Sequence, residues 1–185
     1  MKELRELVIQ PFIGIYAVSK QRGLLPNWAF SAPAVCHVAV GPYSSCNLSS
    51  VSSLAKALGE YLKEDIQEVD MPFEEVQNTK ELEQVLGVNS LMEMEKKTVF
   101  INVFVRDDEY ELSILGRAGT GRWDYNQPYA LDLKIPKASG IEALAQAIVD
   151  HIQSRKDLPD ERVIGVSPTI AKGAWSEWGI GTGLS

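Results

Sequence analysis

Apolar residues recur along the chain with a period typical of strands in some stretches and of helices in others. The run TVFINVFV at 98–105 predicts a strand buried on both faces. The turn 106–108 and the alternating stretch EYELSIL at 109–115 follow it, so the pair predicts a β-hairpin. Other strands are predicted at 7–18, interrupted near Pro11, and at 34–40, 129–135 and 162–166.

Two stretches carry apolar residues at the 3.6-residue spacing of an amphipathic helix. The first begins after Ser49 or Ser50, either of which can cap it, and runs to about residue 63. The second follows Ser139, which with Glu142 forms a capping box. Its buried stripe is predicted to be Ile141, Leu144, Ala145, Ile148, Val149 and Ile152. Shorter helices are predicted at 79–86, capped by Asn78 and ended by Gly87, and after the capping box of Ser90 with Glu93.

The two long helices resemble each other in sequence. Residues 53–62 align with 143–152, and three aligned positions are identical: Leu54 with Leu144, Ala55 with Ala145, and Ala57 with Ala147. Internal duplication and convergence of two amphipathic patterns both remain open.

The order of elements predicts a single α/β domain over residues 1–185, with a mostly antiparallel central sheet and helices packed against it. Residues 21–33 contain Gly23, Pro26 and Pro33 and are predicted to be a loop. From residue 157 the character changes, and 157–185 is predicted to be a C-terminal extension. Its Trp175 and Trp178 either pack on the domain or anchor a partner.

The negative charge of the chain is concentrated in one segment. The whole chain carries −7, whereas residues 64–95 hold ten acidic side chains against Lys80 alone. That segment therefore carries −9, which leaves +2 for the rest. Because nucleic acid requires a basic footprint, we expect no nucleic-acid binding. The segment is either a solvated surface or a surface that attracts a basic partner.

No residue pattern marks a catalytic or metal site. His37 and His151 have no further ligand at metal spacing, and the spacing of Cys36 and Cys46 matches no zinc motif. We therefore expect no catalytic residue, no metal and no cofactor. Free cysteines, the lack of an apolar leader and the short apolar runs together predict a cytoplasmic protein that does not enter a membrane.

The glycine-rich loop 116–122 is the one candidate for ligand chemistry. It carries Arg117 and Arg122, and such loops can hold an anionic group. It leads toward a strand, however, whereas phosphate cradles normally open a helix. A small ligand-binding domain or enzyme that uses this loop remains the alternative function.

Residues 35–154 present an ordered series of elements. The helix SSVSSLAKALGEYL precedes the turn LGVNS, the hairpin TVFINVFVRDDEYELSIL, the glycine–arginine loop, the strand YALDLKIP and the helix SGIEALAQAIVDHI. This layout resembles an immunity protein of contact-dependent growth inhibition systems. The resemblance implies a cytosolic protein that binds and neutralises the toxic domain of a cognate effector, often a nuclease, and it supplies no catalytic residue.

The distribution of negative charge along the chain indicates where the partner is expected to bind. An acidic segment complements a basic nuclease domain. We therefore expect the partner to bind the first part of the segment, whose acidic residues are Glu64, Asp65, Glu68, Asp70, Glu74 and Glu75.

Overall fold

The computed structural model describes residues 11–165, which form a mostly antiparallel sheet with helices packed against it. The strands are β1 Phe12–Ala17, β2 Arg22–Ser31, β3 Cys36–Asn47, β4 Gln67–Val69, β5 Val99–Val105, β6 Glu109–Ile114, β7 Gly116–Arg117, β8 Trp123–Asp124 and β9 Leu131–Pro136. The main path of the sheet runs β3-β2-β1-β5-β6-β9, and β4 is added in parallel beside β2. A separate two-stranded ribbon joins β7 and β8.

Five α-helices lie within the described residues, and local capping groups set their ends. The Ser50 hydroxyl accepts a hydrogen bond from the Ser53 amide (3.3 Å), and the Ser90 hydroxyl accepts one from the Glu93 amide (3.1 Å), as predicted. The helices are α1 Val51–Tyr61, α2 Phe73–Val76, α3 Lys80–Leu86, α4 Leu91–Lys97 and α5 Ile141–Ser154.

The main core lies between one face of the sheet and the pair α1 and α5. Five of the six predicted stripe residues of α5 are buried, with Leu144, Ile148 and Ile152 wholly inaccessible, and Ile141 is partly buried. It packs beside α1 on the fully buried sheet residues Ile13, Ile15, Ile101, Val103, Leu112 and Ile114. Burial of so many branched side chains, at roughly 1.5–3 kcal/mol each, provides the main force that holds the fold together.

The opposite face of the sheet carries aromatic side chains. Strands β1 and β2 pair only at Tyr16–Leu24 and Ala17–Gly23. Beyond that point Trp28 lies across Gly14, and its indole Nε1 donates to the Gly14 carbonyl oxygen over 2.9 Å. Trp28 also contacts the rings of Phe12, Tyr16 and Phe100. Of these rings, Tyr16 and Trp28 lie next to residues 71–82 of the acidic segment.

The prediction of a loop at 21–33 is wrong, because most of it is strand β2. Pro26 is tolerated there because it lies at an irregularity of the β2–β3 ladder, between Pro26 and Asn27. Opposite this position, Gly41 and Pro42 have no ladder partner. Strand β3 resumes beyond them and reaches Asn47, so the predicted end of this strand at Val40 is also wrong.

Other local predictions need correction. Strand β5 is fully buried on one face only, since Phe100, Asn102 and Phe104 are partly exposed. Residues 137–139 form a 3₁₀ turn, so Gly140 rather than Ser139 precedes α5 and no side-chain capping bond forms. Thr79, not Asn78, precedes α3, although Asn78 Oδ1 accepts from the Lys80 amide (3.2 Å).

Residues after α5 pack against the rest of the structure without forming a strand. Leu158 and Ile164 are buried, and the Gly165 amide donates to the Val85 carbonyl oxygen (2.9 Å). The strand predicted at 162–166 is therefore absent from 162–165. Residues 7–10 of the first predicted strand, Val166, Trp175 and Trp178 lie outside the described residues.

Candidate protein-binding surface

The acidic segment is attached to the sheet by backbone groups near its start. Strand β4 pairs in parallel with residues 29–31 of β2. Two residues after the end of β4, the Met71 carbonyl oxygen accepts a hydrogen bond from the Ser31 hydroxyl (2.6 Å). The segment then forms α2 and α3. Leu82, Val85 and Leu86 of α3 are buried. Exposed acidic side chains are therefore presented by an anchored stretch of chain.

All six predicted partner residues are exposed. Within residues 11–165, the side chains of Asp65, Asp70, Glu74 and Glu75 form no hydrogen bond or ion pair. Phe73, beside the last pair, is 56% exposed, so an apolar ring stands among the carboxylates. The structure thus places the six residues along one outer stretch of chain, where they can contact another molecule.

The later acidic residues of the segment serve the fold instead. Glu83 accepts from the Thr79 hydroxyl (2.7 Å), and Glu93 accepts from the Asn89 amide (2.7 Å) while pairing with Lys97 (2.5 Å). The hydrogen bond from Lys97 lowers the pKa of Glu93, and the bonds from Asn89 add to this effect. A count of charge along the sequence cannot separate such carboxylates from those that face outward.

Glu95 is the extreme case, because it is only 2% exposed. It receives hydrogen bonds from Arg122 Nε (2.5 Å) and from the Tyr125 hydroxyl (3.0 Å). Burial, followed by this bond to Glu95, raises the pKa of Tyr125 to about 12. Glu95 therefore joins α4 to the loop after β7 and contributes no charge to the outer surface.

The glycine-rich loop 116–122 is folded as a ribbon connection whose arginines are already engaged. Arg117 Nε pairs with Asp157 Oδ2 (2.9 Å), and its Nη1 donates to the Glu95 carbonyl oxygen. Arg122 pairs with Glu95. Since both guanidinium groups are neutralised within the protein, an anionic ligand would have to displace these bonds. The geometry therefore gives the alternative function no support.

A cleft of about 260 Å³ lies where α2 and α3 approach β3. Its floor includes the rings of Tyr16, Trp28 and Tyr43, and its wall includes the carboxylates of Glu75 and Glu81. Glu81 Oε1 lies above Gly41, 3.7 Å from where a β-carbon at that position would stand. Burial raises the pKa of Tyr43, and the nearby Glu81 carboxylate raises it further.

Sequence reasoning missed Glu81 as part of the candidate surface. It included Glu75 by charge alone and placed Glu81 in the helix predicted at 79–86. The residues of the cleft come from four separate parts of the chain, namely β1, β2, β3 and residues 71–82, and only the fold brings them together.

A second groove, of about 410 Å³, crosses the outer face of β5, β6 and β9. Its aromatic residues include Phe100, Phe104 and Tyr125. Its charges are balanced, since Arg106 pairs with Glu111 (2.9 Å) and Lys134 Nζ lies 3.2 Å from Glu109. The groove therefore lacks the charge surplus that distinguishes the first cleft.

The remaining polar candidates from the sequence are the two histidines and the two cysteines. His37 lines the first cleft and stacks on Phe12 with ring centroids 4.7 Å apart, and burial lowers the pKa of His151. Cys36 and Cys46 are both free thiols. Across residues 11–165, no group of three or more His, Cys, Asp or Glu side chains is placed to hold a metal ion. No helix within that range has the length and apolar character needed to cross a membrane.

Comparison with known proteins supports the fold alone. No protein-family model matches the sequence, and a search of curated proteins finds no match. Among solved structures, the chain is similar to a protein of unknown function, NMB0488, from Neisseria meningitidis. The two share 14% identity with a TM-score of 0.53, over 78% of this chain and 93% of that one.

Proposed function

We propose that this chain is a non-catalytic cytoplasmic immunity protein, which binds and neutralises the toxic domain of a contact-dependent growth inhibition effector. The observation that carries the proposal is the anchored stretch of outward-facing carboxylates from Glu64 to Glu75. Such a surface complements a basic domain such as a nuclease, and it accelerates encounter through long-range attraction.

The distribution of polar groups also supports binding rather than catalysis. The arginines of the glycine-rich loop are occupied by Glu95 and Asp157, so they are not free to hold the anionic group of a substrate. The acidic stretch, in contrast, adjoins an exposed aromatic ring and a cleft. Charged rims around apolar or aromatic centres are the usual composition of protein interfaces.

A direct test asks whether the gene immediately upstream encodes a toxin-sized effector domain, and whether that domain co-purifies with this chain. A tight one-to-one complex that abolishes the toxicity of that domain is the expected result. If this domain is neither bound nor inhibited by the full chain, the proposal fails.

The contact surface is tested by reversing charge at four positions together, Glu68, Asp70, Glu74 and Glu75, each to Lys. Stopped-flow association with the toxin domain should slow by about tenfold or more at low salt, because steering is lost. The difference should shrink as salt rises, since exposed charges are screened. An unchanged on-rate with an unchanged salt dependence would show that the partner binds elsewhere.

A further inference from the structure

The cleft between α2–α3 and β3 is the part of the acidic surface with the most specific geometry. We propose that it is the receptor site for a single arginine side chain of the protein partner. This inference rests on the proposed function, and it names the chemical group that the surface recognises.

The cleft combines two kinds of contact that a guanidinium group uses. Glu75 and Glu81 are exposed carboxylates on its wall, and neither forms an ion pair with any described residue. On the floor, Trp28 and Tyr16 are stacked rings with centroids 6.3 Å apart, of which 7% and 6% remain exposed. A planar cation can be paired by the carboxylates while its flat face rests on an aromatic surface.

Arginine fits this combination better than lysine does. Its guanidinium group is planar, presents several donors at once and stacks on rings, whereas the ammonium group of lysine is a compact, strongly hydrated charge. Arginine is also among the residues that contribute most to protein interfaces when seated in a pocket.

The size of the cleft favours a side chain over a small-molecule ligand. Its volume of about 260 Å³ is below the range of roughly 300–1,000 Å³ that is typical of small-molecule sites. A metal ion is not supported either, because the described residues offer no suitable ligand group.

Backbone contacts preorganise this cleft before any partner arrives. Trp28 is held by its bond to Gly14, and its own amide donates to the Tyr61 hydroxyl over 2.9 Å. The opposite wall is fixed through Ser31 and Met71. A preformed pocket needs little ordering when it binds, which raises affinity.

The probe for this site is N-acetyl-arginine amide, and the matched neutral probe is N-acetyl-citrulline amide. Binding to the full chain is followed by NMR on the indole N–H of Trp28. We expect saturable millimolar binding of the arginine probe and at least about tenfold weaker binding of the citrulline probe.

The double variant Glu75→Gln, Glu81→Gln should abolish this preference. The control variant Asp107→Asn, Asp108→Asn changes the net charge by the same amount at an exposed turn that does not line the cleft. It should retain the affinity for the arginine probe within about twofold, because solvent-exposed charges that do not contact the probe are screened. Thermal unfolding of each variant verifies that it is folded.

Three results would overturn the assignment: equal binding of both probes, binding unaffected by the Glu75 and Glu81 substitutions, or no saturable shift at millimolar and higher concentrations. Capture of the toxin domain without arginine binding would remove the cleft assignment and leave the proposed function standing. Arginine binding without toxin capture would remove the proposed function and leave the cleft assignment standing.

Discussion

Gly14 is the position where one added methyl group should test the packing of the aromatic face. A β-carbon at residue 14 would lie 2.3 Å from Cζ2 and 2.7 Å from Cε2 of Trp28, and 3.0 Å from Cζ of Phe100. Since carbon atoms pack at about 3.5–4.0 Å, the indole would have to move by about 1 Å or more. That movement would also strain its bond to the Gly14 carbonyl oxygen.

The cost can be estimated from these contacts. Overpacking of a well-filled core costs about 1–3 kcal/mol, and the weakened hydrogen bond adds about 0.5–1.5 kcal/mol. Gly14→Ala should therefore lower the free energy of unfolding by about 2–4 kcal/mol. For a chain of this length that corresponds to a fall in Tm of roughly 5–15 °C, measured by calorimetry or circular dichroism.

The same substitution at Gly59 provides the control. Gly59 lies within α1, and a β-carbon there would meet nothing within 4 Å. Gly59→Ala should stabilise the protein by about 0.5–1 kcal/mol, because alanine loses less conformational freedom in a helix. If Gly14→Ala unfolds at the wild-type temperature, the packing of Trp28 over Gly14 is not as described.

Two further predictions concern pH and thiol chemistry. Hydrogen bonds and charge from Arg155, and then Arg117, hold the pKa of Asp157 well below its ordinary value. A carboxylate with a depressed folded pKa stabilises the fold above its unfolded pKa of about 3.9, and that stability is lost as pH falls. The Tm difference between wild type and Asp157→Asn should therefore be largest near neutral pH and shrink steadily below about pH 4, whereas a constant difference would contradict the pairing. Burial raises the pKa of the Cys46 thiol to about 12. In the native protein iodoacetamide should thus modify Cys36 well before Cys46, as followed by mass spectrometry, and equal rates would contradict the burial of Cys46.

Patterns that depend on neighbouring residues predicted much of the fold. The stripes of α1 and α5 and the hairpin of β5 and β6 follow from local periodicity, and the structure contains all of them. Strand β2 was mistaken for a loop because Gly23 and Pro26 are strong local turn signals. Its ladder with β3 tolerates Pro26 through an irregularity, which depends on pairing with a distant stretch of chain.

The candidate surface was only partly predictable for the same reason. Charge counting correctly found residues that are exposed, from Glu64 to Glu75, but it treated the buried Glu95 as equivalent to them. Glu95 is distinguished by Arg122 and Tyr125, which lie 27 and 30 positions later in the chain. The cleft was likewise unforeseen, because Trp28, Gly41 and Glu81 become neighbours only through long-range packing.

The layered arrangement of the sheet has a consequence for how such a protein can change over generations. Side chains that hold α1 and α5 in place lie on one face, whereas the outward carboxylates belong to a stretch attached mainly through its backbone. Substitutions at exposed positions usually alter stability by no more than about 0.5 kcal/mol. New patterns of charge can therefore accumulate on this stretch one residue at a time, with every intermediate sequence still able to fold.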